Sequence, residues 1–246
     1  MPPLDLHAAP TEADHDALIA PLAAAHDAPT VAVMVASVDG RATSEGRVGP
    51  LTGAADQWLL LGVRECAQAL LIGAATLRAE GYGGLLDERA KARRRARGQA
   101  EAPHLYVLGR DLRRLADAEA LRPGGPAVTL LHPPGSEPPP ALPEHVDARE
   151  IPVLPDGRPD LAAALKAIRA AHPRGPIASE GGPTLLGMLV EQRVLDQLIL
   201  AVSPRLEGGA EKRLVELAGR LGRPLRLQAA VAAGGFAFLR YAFAPS

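Results

Sequence analysis

The feature that most constrains this chain is a unit of one anatomy shared by four segments: a short apolar run that ends in Gly, Ser or Asp. The clearest case is Thr30-Val-Ala-Val-Met-Val-Ala-Ser37, apolar and β-branched along most of its length and stopped by Val38-Asp39-Gly40. A run that is apolar at both alternating positions suits a strand buried on both faces. The unit returns at 69–72 running into Gly73-Ala-Ala-Thr76, at 105–108 running into Gly109-Arg110-Asp111, and at 176–179 running into Glu180-Gly-Gly-Pro-Thr184. Further strands are expected at 127–131, 146–153 and 195–202. The spacing between them predicts a helix from Thr52, read as its N-cap, to about Ala67, and another reaching Glu80. A charged helix is expected over 87–97. One capped by Asp160 carries Leu161, Leu165 and Ile168, and a last one carries Leu185, Leu186, Leu189 and Val190. The final apolar stretches, 225–231 and 236–243, are joined by Ala233-Gly-Gly235, a hairpin signal. Strands alternating with helices and closed by a hairpin predict an α/β fold: three layers, α/β/α, with a mostly parallel central sheet and antiparallel C-terminal strands.

The chain has 246 residues with 27 basic and 28 acidic side chains, a net charge of -1, and 47% hydrophobic residues. An N-terminal arm or cap is expected over 1–28, in which Pro21 interrupts a short helix, followed by one domain over 29–246. Near-zero charge argues against nucleic acid as a partner, because phosphate backbones call for a basic excess. The basic run from Arg89 to Arg97 has acids beside it and no interleaved aromatics, so it reads as a solvated helix face. A single cysteine, Cys66, rules out a disulfide framework and a cysteine zinc site, and the seven histidines are dispersed, so no metal is expected. No stretch approaches the ~18 apolar residues of a membrane span. Residues 1–10 lack a basic n-region, so a cytoplasmic location is the expectation.

In parallel sheets ligands bind at the carboxyl ends of the strands, where the four punctuated segments fall. In Gly181-Gly182-Pro183 two glycines allow close backbone approach, and Pro183 suits the first helical position. The free N–H groups of the next turn then make an anion site, suited to a diphosphate. The same residues also fit a plain strand-to-helix turn. Gly73-Ala-Ala-Thr76 reads as half a phosphate loop or as a turn, and Gly109-Arg110 as a phosphate grip or a solvated arginine. Asp39, Glu80 and Glu180 stand at the same edge, where an acid can orient a substrate, relay a proton or form a turn. No G-x-S-x-G occurs, so Ser179 is not a nucleophile elbow.

Ala36-Ser-Val-Asp-Gly40, Leu71-Ile-Gly-Ala-Ala-Thr-Leu-Arg-Ala-Glu80, Glu180-Gly-Gly-Pro-Thr-Leu-Leu-Gly187 and Val194-Leu-Asp-Gln-Leu198 occur in that order. The ordered set resembles the C-terminal reductase domain of the bifunctional riboflavin-biosynthesis deaminase/reductase, which has a dihydrofolate-reductase-like fold. The resemblance covers about residues 30–243. Thr76-Leu-Arg-Ala-Glu-Gly-Tyr-Gly83 and Leu239-Arg-Tyr241 are similar to its stand-alone pyrimidine-reductase branch. The resemblance implies an NADPH-dependent reductase of a pyrimidine or pterin small molecule, first of all 5-amino-6-(5-phosphoribosylamino)uracil, and a homodimer. A dimer would also cover an exposed edge expected at Phe236 to Leu239.

The resemblance further implies Val35 and Ala36 at the nicotinamide, and Gly73, Thr76 and Glu80 as cofactor contacts. Gly109 and Arg110 would meet the adenosine 2′-phosphate, and Gly181, Gly182, Pro183, Thr184 and Leu185 the diphosphate. Glu180 and Asp39 are the catalytic candidates. Two departures bear on the substrate: Val33 stands where riboflavin-pathway members carry Lys, and Val48-Gly-Pro50-Leu-Thr52 replaces Ser-x-Trp-Ile-Thr. Dihydrofolate reduction, and NADPH binding without turnover, are the alternatives. Neither H-x-E nor P-C-x-x-C occurs, so deamination is not expected of this chain.

Overall fold

The structure, a computed structural model, describes residues 7–25, 28–217, 219 and 222–244. Its parallel strands are β1 (Thr30–Ser37), β2 (Ala69–Gly73), β3 (His104–Leu108), β4 (Val128–His132), β5 (Val146–Glu150), β6 (Ile177–Gly181) and β7 (Gln197–Ser203). Two antiparallel strands, β8 (Leu225–Ala233) and β9 (Phe236–Phe243), follow. The order across the sheet is β5-β4-β3-β2-β6-β1-β7-β9-β8. The helices are α1 (Glu12–Leu18), α2 (Ala20–Ala24), α3 (Ala54–Cys66), α4 (Ala74–Glu80), α5 (Glu88–Ala96), α6 (Leu161–Ala171) and α7 (Pro183–Glu191).

Period-two alternation sorts the central strands between two cores. Val31 and Val33 of β1 pack with α3 and α4 through Leu59, Val63 and Leu77. Ala32 and Met34 pack on the other face with α6 and α7 through Leu165, Leu185 and Leu189. This is the expected three-layer α/β/α fold. After β5 the chain returns through α6 to lay β6 between β2 and β1. That insertion creates the crevice at the carboxyl ends of β2, β6 and β1, because the helices after these strands leave in different directions.

Leu18, Ile19 and Leu22 of the segment expected as an arm or cap are buried against the domain. A Cβ on Gly62 would come 2.4 Å from Ile19 Cδ1. Several expectations are corrected. Pro21 opens α2 in its first turn, where a missing N–H costs nothing. Residues 1–6 and 26–27 of that segment lie outside the described residues. Thr52 does not cap α3, since residues 49–51 form a short 3-10 turn and Gly53 becomes the N-cap, without a side-chain bond. The fifth strand stops at Glu150, and Val153 makes only an isolated bridge to Pro159. The sixth runs on through Glu180 and Gly181. Finally, β9 is not an edge, because β7 and β8 flank it and Phe236 and Phe238 are buried. The edge strand is β8, on which Leu225 and Leu227 are exposed.

The basic helix α5 is only partly a solvated face. Arg94 is buried and donates to the carbonyls of Ala100, Glu65 and Ala67 at 2.6–2.8 Å, tying α5 to the end of α3. Burial is the main cause that lowers its guanidinium to about 10. Arg93 and Arg97 pair with Glu65. Among the described residues no helix is long and apolar enough to cross a membrane, and no cluster of His, Cys, Asp or Glu is set to hold a metal.

Candidate active site

Two cavities meet at the crevice. The first, about 440 Å³, lies between α3 and α4 over the ends of β1, β2 and β6. The second, about 790 Å³, lies between α4 and α7 beyond the ends of β2 and β3. Gly73, Ala75, Thr184 and Leu185 line both, so they are two arms of one cleft. Both volumes fall in the range of about 300–1,000 Å³ usual for small-molecule sites.

Helix α3 supplies one wall of the first arm. Its core side carries Leu59 and Val63, and the adjoining side presents Asp56, Leu60 and Arg64 to the cavity. Spacings of four residues stack these side chains along one stripe of the helix. Glu180 reaches the same cavity from β6, one strand position from Ser179, whose hydroxyl is buried without a partner among the described residues. Arg64 Nε and Nη2 donate to the two carboxylate oxygens of Glu180, each at 2.7 Å. Both side chains are largely buried, and the bidentate geometry locks the carboxylate. Burial works against the charge of Arg64, but the Glu180 carboxylate outweighs it and raises the guanidinium further. The Arg64 guanidinium also lies 5.0 Å from the ring centre of Tyr82. Burial first, then Glu180, raises the Tyr82 phenol.

Asp56 differs from Glu180. Its carboxyl has neither ion pair nor hydrogen bond among the described residues, though Asp56 is 6% exposed. Burial, and to a smaller degree the negative Glu180, push it up to about 6. A carboxyl that titrates near neutral pH in a cavity can hold and release a proton.

The head of α7 joins the two arms. Gly181 has φ +81°, and the Gly181–Gly182 peptide is cis. A Cβ on Gly181 would come 2.5 Å from Met34 Sδ. Gly182 N–H donates to Thr76 Oγ1 at 3.0 Å, tying this turn to α4. Leu186 is the first residue whose N–H bonds back, to the Gly182 carbonyl at 3.0 Å. Gly182 offers no side-chain cap, so the N–H groups of Thr184 and Leu185 have no partner among the described residues. These donors, with the helix dipole behind them, fit a diphosphate. Around the second arm stand Arg78, Arg110 and Arg158. Arg158 is paired with Asp156 and Glu191. Arg110 Nη2 donates to the Gly157 carbonyl at 2.6 Å, and Arg78 has no partner among the described residues. The donor set therefore fits a dinucleotide with an additional phosphate.

Of the residues expected from the sequence, Val35, Gly73, Thr76, Glu80, Gly182, Pro183, Thr184, Leu185 and Glu180 line the first arm, and Gly109 and Arg110 the second. Ala36 is buried in the sheet and does not line the cleft. Gly109 is small for a different reason than expected: a Cβ there would come 2.6 Å from the Ala74 Cβ, so it makes room for α4. Asp39 lies outside the cleft lining. Its carboxylate accepts from Glu207 N–H at 3.0 Å, Ser37 Oγ at 2.7 Å and Gly208 N–H at 2.8 Å. These bonds, that of Glu207 foremost, hold it well below the usual carboxylate range. The expected catalytic role of Asp39 is corrected to loop fastening. The sequence reading missed Asp56, Arg64, Tyr82 and Lys212. Two charged residues eight positions apart, and so on one side of an otherwise apolar helix, were the available signal for the first two.

The sequence matches the family model of the RibD C-terminal domain over residues 29–234. None of the curated proteins compared is a significant match. Among solved structures the chain is similar to a pyrimidine reductase-like protein from Corynebacterium diphtheriae, with 24% identity and a TM-score of 0.75 over 89% of this chain and 93% of that one. It is also similar to the riboflavin biosynthesis reductase of Saccharomyces cerevisiae, with 14% identity and a TM-score of 0.60 over 89% and 92%. Dihydrofolate reductase of Enterococcus faecalis, solved with NADP(H), shares 13% identity at a TM-score of 0.52 over 89% and 98%. Likeness at these identities establishes the dihydrofolate-reductase-like fold.

Proposed function

The chain belongs to the RibD C-terminal domain family, and from that premise we propose that it is an NADPH-dependent reductase of a pyrimidine small molecule, with 5-amino-6-(5-phosphoribosylamino)uracil as the leading substrate. The observation that carries the reading is the joined cleft: free helix N–H groups and exposed arginines in one direction, a buried acid pair in the other. NADPH supplies the hydride when bound. The N–H groups of Thr184 and Leu185 would hold its diphosphate, Arg78 and Arg110 its 2′-phosphate, and Val35 the floor beneath the nicotinamide.

The protein's own part in the chemistry rests on two carboxylates. Glu180, fixed by Arg64, keeps one orientation and accepts hydrogen bonds from the substrate. The Asp56 carboxyl, with its pKa of about 6, carries the proton that must accompany the hydride. Leu60 and Val33 close the cavity with apolar surface, which lowers the local dielectric and strengthens both effects.

A second reading, dihydrofolate reduction, is favoured by Asp56. A buried carboxylate without a protein donor suits a substrate edge with two adjacent N–H groups, as an aminopyrimidine ring has. Spectrophotometric NADPH oxidation with each substrate tests both readings. Consumption with the ribosylaminouracil supports the first and consumption with dihydrofolate the second. A melting temperature raised by NADPH with neither substrate consumed leaves only a cofactor-binding protein. We further propose a homodimer formed along β8, and a cytoplasmic location.

A further inference from the structure

Two cations line the first arm of the cleft, Arg64 and Lys212. Arg64 gives both of its forked donors to Glu180 and has no charge to spare. Lys212 has no ion pair and no side-chain hydrogen bond among the described residues. It stands opposite an acidic lining: Asp56, Glu80, Glu119 and Glu180 share the cavity with it. The segment that carries it is a strap fastened at both ends.

On one side the strap is laced to the loop after β1. Ala42 N–H donates to the Lys212 carbonyl at 2.8 Å, and Leu214 N–H to the Gly40 carbonyl at 2.9 Å. Glu211 accepts from Thr43 Oγ1 at 2.5 Å and from Gly46 N–H at 3.3 Å. Arg41 Nη1 donates to the Glu211 carbonyl at 2.9 Å, and Asp39 fastens Glu207 and Gly208 just upstream. On the other side Glu216 N–H reaches the Pro183 carbonyl, at the head of α7, at 3.3 Å. Glu211, next to the lysine, is thus taken up by a hydroxyl and a backbone donor and Glu207 by Arg205, while Lys212, which lines the cleft, has no side-chain partner among the described residues.

We propose that Lys212 closes on a phosphate group bound in the cleft, the diphosphate of the cofactor or the phosphate ester of the substrate. The inference rests on the reductase reading above. It also accounts for how a site with apolar Val33 on its floor receives an anionic ligand: the cation enters from the strap instead of the sheet. A flexible ammonium on a fixed backbone suits this task, since it meets an oxyanion as a point charge without demanding bidentate geometry.

The test has two arms, each run with wild type, Lys212→Ala and Lys212→Arg. Calorimetric titration reads NADPH affinity at low and high salt. Steady-state kinetics at saturating NADPH read KM for the phosphorylated ribosylaminouracil against its dephosphorylated form. Lys212→Ala is expected to lose roughly 5- to 30-fold in one arm, the modest range set by the exposure of the lysine. The loss should shrink at high salt, and Lys212→Arg should recover most of it. A loss in NADPH affinity identifies the cofactor's diphosphate. A collapse of the KM preference for the phosphorylated substrate identifies the ester. Alanine and wild type equal in both arms, or a loss indifferent to salt, overturns the proposal. If the wild type binds no NADPH, the reductase reading fails by itself. Calorimetry with inorganic pyrophosphate then decides the role of Lys212: binding that disappears in Lys212→Ala sustains it, and binding that persists or never occurs overturns it.

Discussion

Arg64, on the wall of the first arm, is largely buried and gives two donors to Glu180; Arg78, on the wall of the second, is exposed and has no partner among the described residues. The same side chain does opposite work in the two places. A buried guanidinium without its carboxylate would carry a desolvation cost of several kcal/mol, so Arg64 is bound to Glu180 and fixes its position. An exposed guanidinium remains hydrated and available, so Arg78 can meet an arriving phosphate. On the proposed function, the first arm would set geometry and proton chemistry, and the second affinity and its dependence on salt.

The largest expected effect breaks the buried pair. Arg64→Met should cost about 3–5 kcal/mol in urea unfolding, because Glu180 is left buried and unpaired. The double variant Arg64→Met/Glu180→Gln should regain most of that loss. If the single and double variants unfold alike, the pair does not hold the wall as described.

Asp56 sharpens the comparison from the other side, as a buried acid without a partner. Its folded pKa of about 6 exceeds the ordinary value of 3.8, so the native state binds the proton more tightly than the unfolded chain. The contribution is fully present below about pH 4 and is lost as pH rises through about 6, a difference of about 3 kcal/mol. Asp56→Asn should therefore be more stable than wild type at pH 8 by up to that amount and indistinguishable near pH 4. It should also lose the pH dependence of turnover near 6. Equal stability profiles of the two proteins would show that the carboxyl is not held protonated by burial.

In the second arm the effects are smaller. Arg78→Ala should narrow the NADPH-to-NADH affinity ratio by roughly tenfold, as for one charge-assisted contact. Arg110→Ala should narrow it by roughly threefold, because its side chain already serves the Gly157 carbonyl. Titration of both cofactors with each variant checks this, and an unchanged ratio in both moves the 2′-phosphate elsewhere. The smallest effect on turnover is expected at the edge strand. Leu227→Lys on β8 should shift light-scattering mass from twice 25.6 kDa to 25.6 kDa with activity largely kept.

The strand ends were legible because Gly, Ser and Asp after an apolar run have few other uses, and the head of α7 followed from Gly182-Pro183. The reasons attached to single residues were less legible. Gly109 suggested space for a ligand, yet the space belongs to Ala74. Asp39 looked like an acid at a cleft, yet its bonds to Glu207 and Gly208 arise from a loop 168 and 169 residues away. Arg64 meets Glu180 across 116 residues, and nothing local to either marks the meeting. Arg94 is one arginine in a basic run, and only the carbonyls at the end of α3 distinguish it from its solvated neighbours. Local patterns announce elements and turns, whereas charge pairing across the crevice depends on the strand order that brings β6 between β2 and β1.

A crystal structure of the NADPH complex decides whether one dinucleotide spans both arms through the residues they share. The adenosine end is expected beside Arg78 and Arg110, the diphosphate on the N–H groups of Thr184 and Leu185, and the nicotinamide over Val35 within reach of the cavity that holds Asp56 and Glu180. A cofactor confined to one arm, or lying across the cleft without touching the head of α7, would contradict this placement.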